Sequence, residues 1–190
     1  MKTGIIFHFE VPQNKIKNLV TPIKPISIPT VGDMVNDYKL LREIGRGGMA
    51  IIFEAQHVKS GATHALKLMS KDTSNHEMAH RFKQEYLALS RLDHVNVLKV
   101  YEYGETNNRP YFTMEHLKGV ILKEAVAQWV DLPPTQRFKK ARDILIQTTR
   151  ALDHIHQLGW VHRDVTPANI MILKDGRVKL MDFGVVKIPG

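Results

Sequence analysis

Three groups of residues in this chain have types and spacings that could do chemistry. The first is Gly45-Arg46-Gly47-Gly48-Met49-Ala50, which follows Ile44 between two strand-like runs. Glycines there let backbone amides approach a polyphosphate with no side chain in the way. A bare glycine turn is equally well explained as a tight hairpin, so its meaning rests on what comes next. Next comes Lys67, an ammonium inside the apolar run His64-Ala65-Leu66-Lys67-Leu68-Met69. Burying such a charge is unfavourable unless an anion or carboxylate meets it. Glu85 is the candidate carboxylate, placed between Phe82 and Leu89 on or beside the side of a helix that should bury. Downstream of a glycine turn, the pair reads as an ion pair able to hold phosphates. The third group is Val161-His162-Arg163-Asp164-Val165-Thr166-Pro167-Ala168-Asn169, followed after one hairpin by Met181-Asp182-Phe183-Gly184. Treating Asp164 and Asp182 as ordinary turn aspartates leaves Asn169 and the intervening hairpin unexplained.

The elements that must position these residues can be read from periodicity. Order is expected from about Tyr38, where Tyr38 to Ile44 forms a strand, the glycines a turn and Ile51 to Ala55 a second strand. The run around Lys67 is a third strand, after the Ser60-Gly61 turn. A helix is predicted from about Asn75 to Leu92, with Met78, Phe82, Leu89 and Leu92 at helical intervals. Val97 to Tyr103 and Tyr111 to Glu115 add two strands across the turn-forming Asn107-Asn108-Arg109-Pro110. These pieces predict a five-stranded antiparallel sheet with one helix. A long helix follows, opened by Pro133-Pro134 with Thr135 as candidate cap and closed by Gly159. Phe138, Ala141, Leu145, Thr148, Leu152 and Ile155 form a stripe along it. Beyond it, Ile170 to Leu173 and Val178 to Met181 read as strands joined by the Asp175-Gly176 hairpin signal.

In the order and spacing of these motifs the sequence resembles eukaryotic-type protein kinases, particularly the bacterial Ser/Thr kinases that use an Ile-Gly-Arg-Gly-Gly-Met opening. The resemblance covers about residues 33 to 190. It implies a kinase-like α+β fold: a tail over residues 1–32, an N-terminal lobe over 33–115, and the start of a mainly helical C-terminal lobe over 116–190. It also implies ATP and Mg2+ as cofactors and a protein Ser/Thr hydroxyl as substrate. By the same resemblance, Asp164 accepts the hydroxyl's proton, Lys67 and Glu85 hold the phosphates, and Asn169 and Asp182 supply metal-ligating oxygens. Ile52 and Ala65 would cover the adenine and Met171 underlie it. Met114 resembles the gatekeeper, with Glu115 carbonyl and Leu117 amide as hinge partners. Residues Ile44 to Ala50 would close over the phosphates. His162 would stack on Phe183, with Leu89 continuing that column, and Arg163 would pair with a phosphorylated residue of an activation segment.

Three departures from the family pattern stand out. Ala50 occupies the usual third glycine, which adds only a methyl group. Thr166 replaces the usual lysine, removing one positive charge near the γ-phosphate and predicting slower transfer with nucleotide binding retained. After Gly184 only Val185-Val186-Lys187-Ile188-Pro189-Gly190 remain, so the chain reads as ending before the family's activation segment. Part of the long helix's stripe is then expected to be exposed, or covered by a partner chain. A nucleotide-binding regulatory module without catalysis is the alternative. A small-molecule phosphotransferase would share the lobe but usually lacks the His-Arg-Asp and Asp-Phe-Gly combination.

Composition limits the rest. The chain has 190 residues, 43% of them hydrophobic, enough for one globular domain. With no cysteine there is no disulfide and no thiolate metal site. The formal charge of +8 is spread along the chain without an arginine-rich block, so no nucleic-acid partner is expected. No apolar run approaches the roughly 20 residues that span a bilayer, and the first ten residues lack a signal-peptide core. A cytoplasmic protein is expected. From Val11 to about Thr30, four prolines among three lysines read as an extended tail.

Overall fold

Alternation of side chains along extended segments decides which residues meet. A computed structural model describes residues 27–184 of the chain. In strand β4 (Thr63–Met69), Ala65 and Met69 fall in one buried cluster while Leu66 and Leu68 fall in another, as a two-residue repeat requires. The same division holds in β3 (Ala50–His57), where Ala50 joins the first cluster and Ile51, Phe53 and Ala55 the second. Covered on both faces, β6 (Arg109–Glu115) is buried at every position but its last.

With β1 (Met34–Val35), β2 (Tyr38–Arg46) and β5 (Val100–Thr106), these strands form an antiparallel sheet ordered β1-β2-β3-β4-β6-β5. The sheet therefore has six strands where the sequence predicts five. The additional β1 has two residues, too few to show a period, and reaches β2 through a turn in which Asn36 adopts φ +48°. β5 also begins three residues later than expected, because Val97 leaves this sheet to form a parallel bridge with Leu180.

Helix α1 (His76–Ser90) packs on the inner face of the sheet through Phe82, Glu85, Ala88 and Leu89. Asn75 caps it, its side-chain oxygen accepting the Met78 N–H at 3.1 Å. Below the sheet lie β7 (Gly119–Ile121), α2 (Leu122–Ala127), α3 (Pro134–Gln157), a 3-10 turn (Pro167–Asn169), β8 (Ile170–Leu173) and β9 (Val178–Leu180), with β7, β8 and β9 forming a second antiparallel sheet.

Thr135 is not the cap of α3. The cap position is Pro133 and Pro134 opens the first turn, where its missing N–H leaves no bond unmade. At the far end Gly159 takes φ +76°. Its N–H binds His156 O at 2.8 Å and the Trp160 N–H binds Ile155 O at 3.2 Å, which closes the last turn. The predicted stripe on α3 divides. Thr148 and Ile155 turn inward with Ile144 and Ala151, whereas Phe138 is 70% and Leu145 64% exposed, along an open apolar groove.

A seam joins the two layers. The Leu98 N–H binds Leu180 O at 3.0 Å, the Leu180 N–H binds Asn96 O at 2.8 Å, and the buried Asn96 side chain donates to Val178 O at 2.8 Å. Among the described residues no helix is long and apolar enough to cross a membrane. Most of the tail expected over residues 1–32 lies outside the described residues; Ile28 packs against the outer cluster.

Candidate functional site

Lys67 faces α1 because, two residues from each, it shares the inner side of β4 with Ala65 and Met69. There its Nζ donates to Glu85 Oε1 at 2.5 Å and Oε2 at 2.6 Å. The two side chains are 17% and 5% exposed, and the ammonium lies 5.9 Å and 5.5 Å from the ring centres of Phe82 and Phe112. Burial pushes the Glu85 carboxyl above its ordinary value, Lys67 pulls it down, and Asp182 adds a smaller upward push. The glutamate's charge therefore depends on Lys67 remaining opposite it.

The second acidic group is built by the segment after α3. Asn169 donates its side-chain N–H to Asp164 O at 3.0 Å and to Asp164 Oδ2 at 2.8 Å, which fixes the carboxylate on the 3-10 turn. The Met181 N–H binds Asn169 O at 2.8 Å, so Asp182 is carried directly beside that turn. A Cβ built on Gly184 would lie 3.2 Å from Asp182 Oδ1 and 4.0 Å from Glu85 Oε2, which brings the Asp-Phe-Gly segment next to the ion pair. Arg163 and Asp182 hold left-handed backbone, φ +68° and +58°, where non-glycine residues are strained. The Gly184 N–H on Asp182 Oδ1 at 3.1 Å helps keep the second in place.

His162 packs its ring 4.6 Å from that of Phe183, and Leu89 is buried in the same cluster as Phe183. Burial depresses the His162 pKa. Its Nε2 donates to Met181 O at 3.2 Å and its Nδ1 accepts the Asp164 N–H at 3.3 Å. A neutral imidazole with both nitrogens engaged supports the loop and is not available as a base.

An apolar cleft of about 270 Å³ separates the two layers. It is lined by Ile44, Ile52, Ala65, Met114, Glu115, Leu117 and Met171, all singled out in the sequence, and also by Leu98, His116, Ile121 and Met181. Lys67 pairs across the β3–β4 ladder with Ile52, two residues on from Ala50, where β3 emerges from the glycine turn. In that turn Arg46 is engaged by Glu43, the Gly47 N–H binds Ala50 O at 2.9 Å, and the Ser70 N–H binds Met49 O at 2.9 Å. A Cβ on Gly48 would meet nothing within 4 Å, so the turn faces open space. Thr166 accepts the Asn169 N–H through its carbonyl at 3.0 Å, at the start of the 3-10 turn. A larger polar dish of about 440 Å³ between Ser70, Asp72, Asn75 and Arg109 shares no lining residue with the cleft.

Sequence reasoning missed Lys179, a buried lysine in the middle of β9 whose Nζ donates to Glu115 Oε1 at 2.6 Å and Val97 O at 3.1 Å. The sign that singled out Lys67, an ammonium inside an apolar strand, was present in Val178-Lys179-Leu180 as well.

The oxygen donors suit a hard cation bound together with phosphates. Asn169 has its amide nitrogen occupied, leaving Oδ1 to present, and the exposed Asp182 has Oδ1 tied to Gly184 with Oδ2 remaining. Among the described residues no cluster of three or more His, Cys, Asp or Glu could hold a metal alone. Further ligands would have to come from a bound anion and water.

A family model described as "Protein kinase domain" matches residues 38–189. The chain is 38% identical over 149 residues to "Serine/threonine-protein kinase PrkC" of Bacillus subtilis, a match covering 78% of this chain and 22% of that protein. It is 34% identical over 160 residues to "Probable serine/threonine-protein kinase PknB" of Bifidobacterium longum, covering 79% and 23%. Against "Serine/threonine-protein kinase PknH" of Mycobacterium tuberculosis the identity is 35% over 156 residues, covering 82% and 24%. The chain thus spans less than a quarter of these curated relatives. A solved structure titled "PpkA-294 apo form" superposes with a TM-score of 0.70 at 26% identity, covering 83% of this chain and 62% of that one.

Proposed function

The chain belongs to the protein kinase domain family, and on that premise we propose that it binds Mg-ATP and supplies the residues that transfer the γ-phosphoryl group to a Ser or Thr hydroxyl of a protein. One observation carries the reading: the closed Lys67–Glu85 pair and the Asp164–Asn169–Asp182 cluster are held together at the Asp-Phe-Gly segment. Left-handed backbone at Arg163 and Asp182 accompanies this convergence, and strain of that kind clusters at active sites.

Each residue's part follows from its chemistry. Ile44, Ile52 and Ala65 from above and Met171 from below offer an apolar slot to the adenine, with the backbone of Glu115 and Leu117 at its edge. Glu85 orients the Lys67 ammonium, which meets the phosphate oxygens as a point charge. Asn169 Oδ1 and Asp182 would hold the cation from the protein side. Bound magnesium would neutralise charge developing on the phosphoryl oxygens. The Asp164 carboxylate, steered by the Asn169 amide, accepts the proton of the attacking hydroxyl and aligns its oxygen. Thr166 leaves the neighbourhood of the γ-phosphate one charge short of the family pattern. We place residues 33–115 and 116–184 as the two lobes around this slot. A chain without cysteine that consumes ATP fits the cytoplasm.

The test is transfer of labelled γ-phosphate from Mg-ATP to a generic Ser/Thr acceptor, with Asp164→Asn alongside. General-base catalysis contributes about 10²- to 10⁴-fold, so the variant should lose at least about a hundredfold in rate while still binding nucleotide. Equal rates in the two proteins would refute the role given to Asp164. Nucleotide binding without transfer by the unmodified chain would favour a regulatory module.

A further inference from the structure

Lys179 sits at the middle of β9, 5% exposed, where most lysines of a domain would be in water. Its ammonium donates to Val97 O at 3.1 Å and to Glu115 Oε1 at 2.6 Å, and the same carboxylate oxygen accepts the Lys99 N–H at 2.8 Å. One buried cation therefore touches three places at once: the strand leading to Asp182, the segment that crosses between the layers, and the end of β6. Glu115 borders the cleft with Leu117 next but one, and Met171, the register partner of Lys179 on β8, borders it from below.

A buried ion pair of this kind adds little net stability over well-packed apolar residues, because desolvation offsets most of the attraction. What it can define is geometry, because a buried ammonium with no water to turn to must keep Val97 O and Glu115 Oε1 within hydrogen-bond reach. We propose that Lys179 is a positioning residue: by clamping Glu115 to β9 it sets the distance between the part of the cleft that meets a nucleotide's base and the part that meets its metal-bound phosphates. The inference rests on the nucleotide reading above. It assigns to Lys179 the spacing of the two halves, which neither Lys67 nor Asp182 controls.

A ligand that spans both halves must feel this spacing, and a ligand that occupies only one must not. The experiment compares affinities for a magnesium-bound non-hydrolysable ATP analogue and for adenosine, using the full chain and Lys179→Met. The double variant Lys179→Met/Glu115→Gln removes both charges, so it leaves no uncompensated buried ion if the single change unfolds the protein. The expected result is a loss of roughly tenfold or more for the ATP analogue, about 1.4 kcal/mol, with adenosine affinity changed less than about threefold. Equal losses for both ligands would mean that Lys179 only supports the base pocket, and unchanged affinities would remove its role; either overturns the inference while leaving the nucleotide reading intact. No analogue binding by the unsubstituted, folded chain would overturn both.

Discussion

Replacing Glu85 by Ala while Lys67 stays in place should strand an ammonium among Phe82 and Phe112, whose ring centres lie 5.9 Å and 5.5 Å away. Removing one partner of a buried ion pair typically destabilises by about 3–5 kcal/mol. Lys67 retains 17% exposure and can draw some water, which puts this case near the lower limit, about 3 kcal/mol. For a domain of this size each kcal/mol is worth roughly 2–4 °C, so the melting temperature should fall by about 6–12 °C. The double variant Lys67→Met/Glu85→Leu removes both charges and fills the space with apolar atoms. It should recover most of that loss, and its melting temperature should approach that of the parent. Function should not recover with it, because the cation that meets the phosphates is gone. Differential scanning fluorimetry together with calorimetric titration of Mg-ATP measures both quantities. A double variant as unstable as Glu85→Ala would refute the electrostatic account of this site, and one that bound Mg-ATP like the parent would refute the role of Lys67.

Further outcomes can be checked separately. Thr166→Lys should raise turnover several-fold, with little change in nucleotide affinity in steady-state kinetics, by restoring the charge expected near the γ-phosphate. Ala65→Phe should fill much of the 270 Å³ cleft and abolish adenosine binding by titration without lowering the melting temperature by more than a few degrees. Burial depresses the pKa of His162 below its ordinary 6.5. The unfolded chain then binds the proton first, so this contribution to stability is complete above pH 6.5 and declines as the pH falls toward the folded value. Glu85, pushed upward by burial, acts with the opposite sign, so the slope is best isolated by comparing urea midpoints at pH 7.5 and 5.5 with those of His162→Asn. The variant should show the shallower fall, and equal slopes would contradict the argument. Gly159→Ala places a Cβ at φ +76° and should destabilise the chain by about 1–2 kcal/mol in urea unfolding.

Elements long enough to show a period were legible in the sequence. The strands on either side of the glycine turn, the helix carrying Glu85 and the Asp175-Gly176 hairpin all lie where the spacing puts them, because a half-buried strand or helix leaves a readable alternation. Shorter pieces were not legible. β1 with two residues, β7 with three and α2 with six are held by their neighbours more than by their own pattern. The end of α3 was clear from Gly159, yet its cap lies at Pro133, two residues before the expected Thr135, because proline at the first helical position needs no hydroxyl cap. At the site, residues that stand out by type were found, while Leu98, His116, Ile121 and Met181 belong to the cleft only by where the chain carries them. Lys179 was overlooked although its setting in an apolar strand matches that of Lys67.

The seam between Asn96 and β9 joins residues 82 positions apart. Contacts of such range close late in folding, after the entropy of the intervening loop has been overcome. During synthesis Val97 and Leu98 leave the ribosome long before Leu180, which will later pair with them, has been translated. That interval is when the nascent chain presents its most adhesive surface, and the stage at which chaperone capture or aggregation should be greatest.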